Sequence, residues 1–198
     1  MIHPPQVGSG EGNHIMPARY EGFGYLAAFI LTVPAANWMI GNFGAVCPEG
    51  SPCLVPVGPG IMAPSGVIMI GLALVLRDLV QRRLGKTWAL GAIVAGALLS
   101  VMIAPPALVL ASGAAFLVSE LADFAVYTPL QRKRLVLAVF LSGVVGLVVD
   151  SVLFLQLAFG SLDYLTGQIV GKGWMIVLAL PIIWWIRKRD EKLGLVPA

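Results

Sequence analysis

Six runs of apolar residues, each long enough to cross a bilayer as a helix, limit this chain more than any other feature. They are Gly22–Ile40, Met62–Val80, Thr87–Ala104, Ala107–Leu130, Leu135–Phe159 and Ile169–Ile186. A helical crossing needs about 20 apolar residues, within a range of roughly 17–25. Short polar joints separate the runs, so the pattern is not the single stripe of an amphipathic soluble helix. A transmembrane barrel would show alternating segments of about ten residues, which this sequence lacks. Composition agrees, with 58% of residues hydrophobic and 12% charged, about half the charge of an ordinary soluble domain. The expected fold class is all-α: a polytopic integral membrane protein built as a single bundle of six transmembrane helices. Residues 1–21 read as a loosely ordered tail, 22–186 as the transmembrane domain and 187–198 as a second tail. The first segment lacks the basic start and apolar core of a cleavable signal.

The basic residues set an orientation. Arg19, then Arg82, Arg83 and Lys86, then Arg132, Lys133 and Arg134, and finally Arg187, Lys188, Arg189 and Lys192 fall at one side of such a bundle. The opposite loops carry none, so the positive-inside rule puts both termini in the cytoplasm. The net charge of +3 is therefore a topology and anionic-lipid signal, and nucleic acid is not an expected partner. Arg77 and Lys172 are the two cations left within apolar spans.

Between the first two spans lies "CPEGSPC". If that loop faces an oxidising compartment, Cys47 and Cys53 suit a structural bridge better than two free thiols. Two thiols without a nearby His make a poor metal site. The following "VPVGPGIMAPSG" has too many Pro and Gly for a helix and is expected to form a lid or re-entrant turn.

Charged side chains at mid-bilayer cost roughly 2.5–3.5 kcal/mol each on insertion scales, so they face a cavity or a partner. The candidates are Asp78, Glu120, Asp123, Asp150 and Lys172, with Asn37 beside them. Phe116, Glu120, Asp123 and Tyr127 recur at helical intervals and share one face of the fourth span. Gly143, Gly146, Asp150 and Phe154 form a comparable face on the fifth, where small residues permit close approach. At about 1.5 Å per residue, Asn37, Asp150 and Lys172 lie roughly 21–23 Å above the basic side. Glu120 and Asp123 lie lower, at roughly 15 and 10 Å. Pro34 and Pro181 would free the carbonyls of Ile30 and Val177, which either exposes backbone to a central site or simply kinks a packed helix. Asp78 is expected to pair with Arg77 or Arg82 near the membrane edge. Asp150 and Lys172 either lock two helices together or contact a ligand. Glu120 and Asp123 repel each other one turn apart, so a proton, a cation or a donor-rich ligand must neutralise them. Trp184 and Trp185 read as an interfacial anchor, and Trp38 and Trp174 as packing or a stacking surface. The third span, with Gly91, Ala92, Ala95 and Gly96, reads as scaffold.

These pieces, taken in order, resemble the queuosine precursor transporter family, also called the vitamin uptake transporter (VUT) family. The similar segments are "AANWM", "RDLVQRRLG", "ASGAAFLVSELADFAVYTPLQRKR", "GLVVDSVLFLQLAFG" and the Lys of "GKGWM". The resemblance implies a six-helix protein of the bacterial inner membrane that imports 7-deazaguanine bases, such as 7-cyano-7-deazaguanine and its aminomethyl relative. It places Asn37, Asp78, Glu120, Asp123, Asp150 and Lys172 at the family's polar positions. Glu120 stands where a neutral Gln also occurs, which makes Asp123 the stronger candidate for an indispensable contact. A deazaguanine presents a donor edge that carboxylates can accept, a carbonyl that Lys172 or Asn37 could reach, and a flat face suited to Phe116, Tyr127, Trp38 or Trp174.

No catalytic residue, metal or cofactor is expected. The only histidines are His3 and His14, and neither an HExxH nor a GxSxG motif is present. A carboxylate-dependent intramembrane enzyme is the rival from another class. Within transport, the alternatives are another heterocyclic vitamin or nucleobase, or the substrate-binding subunit of an ATP-driven importer whose P-loop lies on a partner chain.

Overall fold

A computed structural model of the chain describes residues 11–49 and 51–195. The expectation for residues 1–10 of the first tail, His3 included, lies outside the described residues. The elements run α1 (Glu11–Asn42), β1 (Leu54–Gly58), β2 (Ile61–Pro64), α2 (Val67–Leu84), α3 (Lys86–Ile103), α4 (Val109–Leu130), α5 (Leu135–Phe159) and α6 (Leu165–Leu193). A single 3₁₀ turn, Pro106–Leu108, precedes α4.

Five of the six helices include a stretch long and apolar enough to cross a membrane, and α2 does not. Its 18 residues carry Arg77, Asp78, Arg82 and Arg83, too many charges for a surface facing lipid. The packing gives the reason: α2 is the central helix. It packs against α1, α3, α4, α5 and α6, which follow one another around it in an arc. Its Arg77, Asp78 and Gln81 are buried by protein. The lipid-type surface belongs to the arc, where Leu98, Met102, Leu110, Leu178 and Ile182 are exposed. Two apolar clusters meet on α2. Leu74, Val75 and Leu79 join Tyr127, Val139, Leu147, Ile176 and Ile183 on one side. Ala73 joins Phe29, Val33, Ala92, Ala97 and Phe116 on the other.

The three boundaries that move furthest from the sequence reading each have a local reason. The helix expected from Gly22 begins at Glu11, and Glu21 ties its lower part to Arg83 at 3.1 Å and Arg189 at 2.6 Å. The span expected over Met62–Val80 opens as strand β2, and its helix starts only at Val67. Helix α6 continues past Ile186 to Leu193. Asp190, 1% exposed, pairs there with Arg82 at 2.6 Å and Arg83 at 2.8 Å, so the expected second tail is largely a docked helix end. Both Pro34 and Pro181 sit within continuous helices, so neither breaks its element. Lys188 lies 4.2 Å from the Trp184 ring and Arg189 5.3 Å from the Trp185 ring, at this same basic end.

The stretch expected as a lid or re-entrant turn is an antiparallel hairpin, with Leu54 opposite Pro64 and Val55 opposite Ala63. Its turn needs Gly60, at φ 69°, because an L side chain is disfavoured there. Cys47 and Cys53 are bonded to each other. The Cys53 amide donates to the Ile40 carbonyl at 2.8 Å and Ser65 Oγ to the Met39 carbonyl at 2.7 Å, strapping the hairpin to the end of α1. Trp174 Nε1 donates to the Val57 carbonyl at 2.9 Å, fixing its other side to α6. For a bridge with a sequence separation of 6, the chain-entropy estimate of stabilisation is about 2 kcal/mol. Replacing Cys47 and Cys53 together with Ser is expected to lower the melting temperature as far as a reductant lowers that of the wild type. The variant itself should no longer respond to reductant.

Close approach of α2 to α6 depends on Gly71. A Cβ there would lie 2.8 Å from the Lys172 carbonyl oxygen and 2.9 Å from its Cα. Gly71→Val is therefore expected to push the helices apart and cost about 1–3 kcal/mol, as overpacking does. Gly91→Val, where a Cβ meets nothing within 4 Å, is the control that should retain its melting temperature.

Candidate functional site

The buried charges form two groups, and α4 connects them. The lower group is built on Arg77, which α2 directs toward α4. Its Nε lies 3.2 Å from Glu120 Oε2, and its Nη2 contacts both Asp123 Oδ1 and, at 2.9 Å, Asp78 Oδ1. Nη1 donates to Gln81 Oε1 at 3.1 Å, and Gln81 in turn donates to Thr128 Oγ1 at 3.0 Å. The rings of Phe124 and Tyr127 sit 5.8 and 5.5 Å from the guanidinium carbon. Ser142 of α5 donates to Asp78 Oδ2 at 3.1 Å. Arg77, Asp123 and Tyr127 are all 0% exposed. The neutralising cation that the Glu120–Asp123 spacing demands is thus an internal arginine. A planar guanidinium offers five N–H donors in a fixed fork, more than the three of an ammonium, and so suits a site with several carboxylates.

The upper group centres on Lys172 of α6. Its Nζ lies 2.6 Å from Asp150 Oδ2 and 2.9 Å from Ser151 Oγ, and it also donates to Gln168 Oε1. All three ammonium protons therefore have acceptors. Asp150 is less saturated: among the described residues its Oδ1 receives only Ser119 Oγ, at 3.4 Å. Ser119 precedes Glu120 on α4, so one helix turn touches both groups.

Above the Asp150–Lys172 pair is a cavity of about 60 Å³, room for several waters or a thin, flat group. Asn37, Ser100, Ser112, Phe116, Asp150, Phe154, Gln168 and Lys172 supply its polar and aromatic lining, with Pro64 and Gly66 at the foot of the hairpin. Of the residues singled out in the sequence, Asn37, Phe116, Asp150 and Lys172 come together here. Glu120, Asp123 and Tyr127 do not line it; they surround Arg77 one level below. Of the two partners expected for Asp78, Arg77 is the one it pairs with; Arg82 pairs with Asp190, so the Asp78–Arg82 alternative does not form. Trp38 and Trp174 are 59% and 53% exposed and lie outside the cavity.

Ser100, Ser112, Ser119 and Gln168 were missed by the sequence reading. Gln168 had a signal, since it precedes Lys172 by four residues on one helical face. The three serines had none, because a hydroxyl is tolerated anywhere in a buried helix once it returns a hydrogen bond to the backbone. Ser119 does this, donating to the Phe116 carbonyl at 3.1 Å. The third span, expected as scaffold, also contributes Ser100 to the cavity wall.

Chemically, the cavity presents an anionic acceptor with spare capacity, a held cation, amide groups of both polarities and the rings of Phe116 and Phe154. It suits a small planar molecule bearing N–H donors. Neither a curated protein nor a solved structure matches the chain. Residues 97–186 do match a family model, described as "Putative vitamin uptake transporter". That segment, somewhat less than half of the chain, carries Phe116, two of the three carboxylates that hold Arg77, and the Asp150–Lys172 pair; over it, the chain is similar to the vitamin uptake transporter family.

Proposed function

We propose that the protein imports 7-deazaguanine bases, the precursors of queuosine, through the Asp150–Lys172 cavity. One observation supports this most: a buried, charged pair lines a small cavity with two aromatic rings, inside the helix bundle. A charge pair serving only to join α5 and α6 would need no space beside it. The ring N–H and exocyclic amine of such a base would donate to Asp150 Oδ1, whose only present donor is distant. Its carbonyl would take one Lys172 proton in place of Gln168 Oε1, or an amide proton of Asn37. Phe116 and Phe154 would flank the ring. Both the size of the cavity and the family's character as a small-molecule carrier favour a compact heterocycle.

The test is rescue of tRNA queuosine in a bacterial host that lacks its own importer and precursor synthesis. Each base is supplied separately at low concentration. The wild-type protein is expected to restore queuosine with at least one of 7-cyano- and 7-aminomethyl-7-deazaguanine. Restoration by neither, with normal amounts of protein in the membrane, would overturn the reading in favour of another heterocycle.

A further inference from the structure

We propose that the basic end of the molecule holds one anionic phospholipid, with its headgroup beside the α4–α5 turn and an acyl chain between α5 and α6. Two adjoining cavities form the site. The first is an open groove of about 690 Å³, walled by Val136, Leu137, Phe140 and Leu180 and rimmed by Lys133, Arg134 and Arg187. The second is a polar recess of about 120 Å³ that includes Arg82, Gln131, Arg132, Lys133, Arg187, Asp190 and Glu191. Lys133 and Arg187 belong to both, so the recess opens onto the groove.

Charge complementarity identifies the occupant. Arg82 is taken by Asp190 and Arg187 by Glu191, at 2.6 and 2.7 Å. Arg132, Lys133 and Arg134 are exposed and, among the described residues, have no carboxylate within ion-pairing distance. Three consecutive uncompensated cations at the start of α5, where the helix dipole is also positive, call for an anion. The groove below calls for hydrocarbon, which a free phosphate does not have. Gln131 adds a further preference: it is 2% exposed and, among the described residues, its Oε1 has no donor. A hydroxyl on the headgroup would supply one, which favours phosphatidylglycerol over a headgroup without hydroxyls.

The test uses the purified full-length protein, delipidated in detergent. Phosphatidylglycerol and phosphatidylcholine of identical acyl chains compete, and bound lipid is counted by native mass spectrometry. The wild type is expected to retain one phosphatidylglycerol in preference. Replacing Arg132, Lys133 and Arg134 together with Gln is expected to reduce that preference on the order of 100-fold, from about 1 kcal/mol per basic residue. The three side chains are exposed, so the melting temperature should be unchanged. Replacing Lys188 and Lys192 with Gln, also exposed cations but outside both cavities, should leave the preference intact. Equal retention of the two lipids by the wild type would overturn the proposal. So would an equal loss in both variants, which would mark a diffuse basic surface and not a site.

Discussion

Arg77→Gln is expected to be the most damaging single substitution in the molecule. It removes what is, among the described residues, the one cation that faces Asp78, Glu120 and Asp123, all of them buried. Breaking a buried ion pair from one side costs about 3–5 kcal/mol, because the abandoned charge has no water to return to. Here three carboxylates are abandoned, and a typical domain has only about 5–15 kcal/mol in total. The measurements are melting temperature in detergent and yield in the membrane fraction. Arg77→Lys should fare little better, since one ammonium cannot replace contacts made from Nε, Nη1 and Nη2 together. Adding Glu120→Gln and Asp123→Asn to Arg77→Gln should recover part of the loss by removing the stranded charges. Glu120→Gln alone should be mild, because an amide oxygen still accepts from Arg77 Nε. A wild-type melting temperature for Arg77→Gln would refute the role given to this arginine.

The second large effect is expected at Lys172 and Asp150, where stability and binding can be separated. Lys172→Met leaves Asp150 as a lone buried carboxylate, again at a cost of about 3–5 kcal/mol. Asp150→Asn keeps the shape of the acceptor and loses its charge. It should weaken binding of a deazaguanine by about 1.5–3 kcal/mol, the value of a hydrogen bond to a charged group, or roughly 10- to 150-fold. The double variant, Lys172→Met with Asp150→Asn, has no unpaired charge and should regain most of the thermal stability lost by Lys172→Met. Uptake should not return with it. If the double variant transports as the wild type does, the pair is only a lock between α5 and α6.

Much of the fold was legible in the sequence because lipid is a demanding solvent. Backbone groups cannot go unpaired in it, so long apolar runs become helices; α3, α4 and α5 end within two residues of where the runs do. The errors fell where another partner replaced lipid or water. Glu21, just before the expected start of α1, is held by two arginines, and α6 continues past Ile186 where Asp190 is held by two more. Met62 lies in a strand because Pro and Gly shape a hairpin around it. The charge content of α2 was visible from the start, and its meaning was not. Read alone, Asp78 with Arg77 suggested a simple ion pair, whereas the packed bundle buries both and brings Glu120 and Asp123 to the same arginine.

The candidate site divides along the same line. Helical periodicity and depth are one-dimensional properties, and they sufficed to put Asn37, Asp150 and Lys172 at one level and Glu120 below it. By itself, the sequence also determined that Glu120 and Asp123 had to meet a positive or proton-donating group. Only the tertiary structure decided which. The central position of α2 brings Arg77 to both carboxylates across more than 40 residues of chain, as their separations of 43 and 46 positions show. A pairing between helices depends on which face each turns inward, and that is set by the close packing of all six, not by any segment alone.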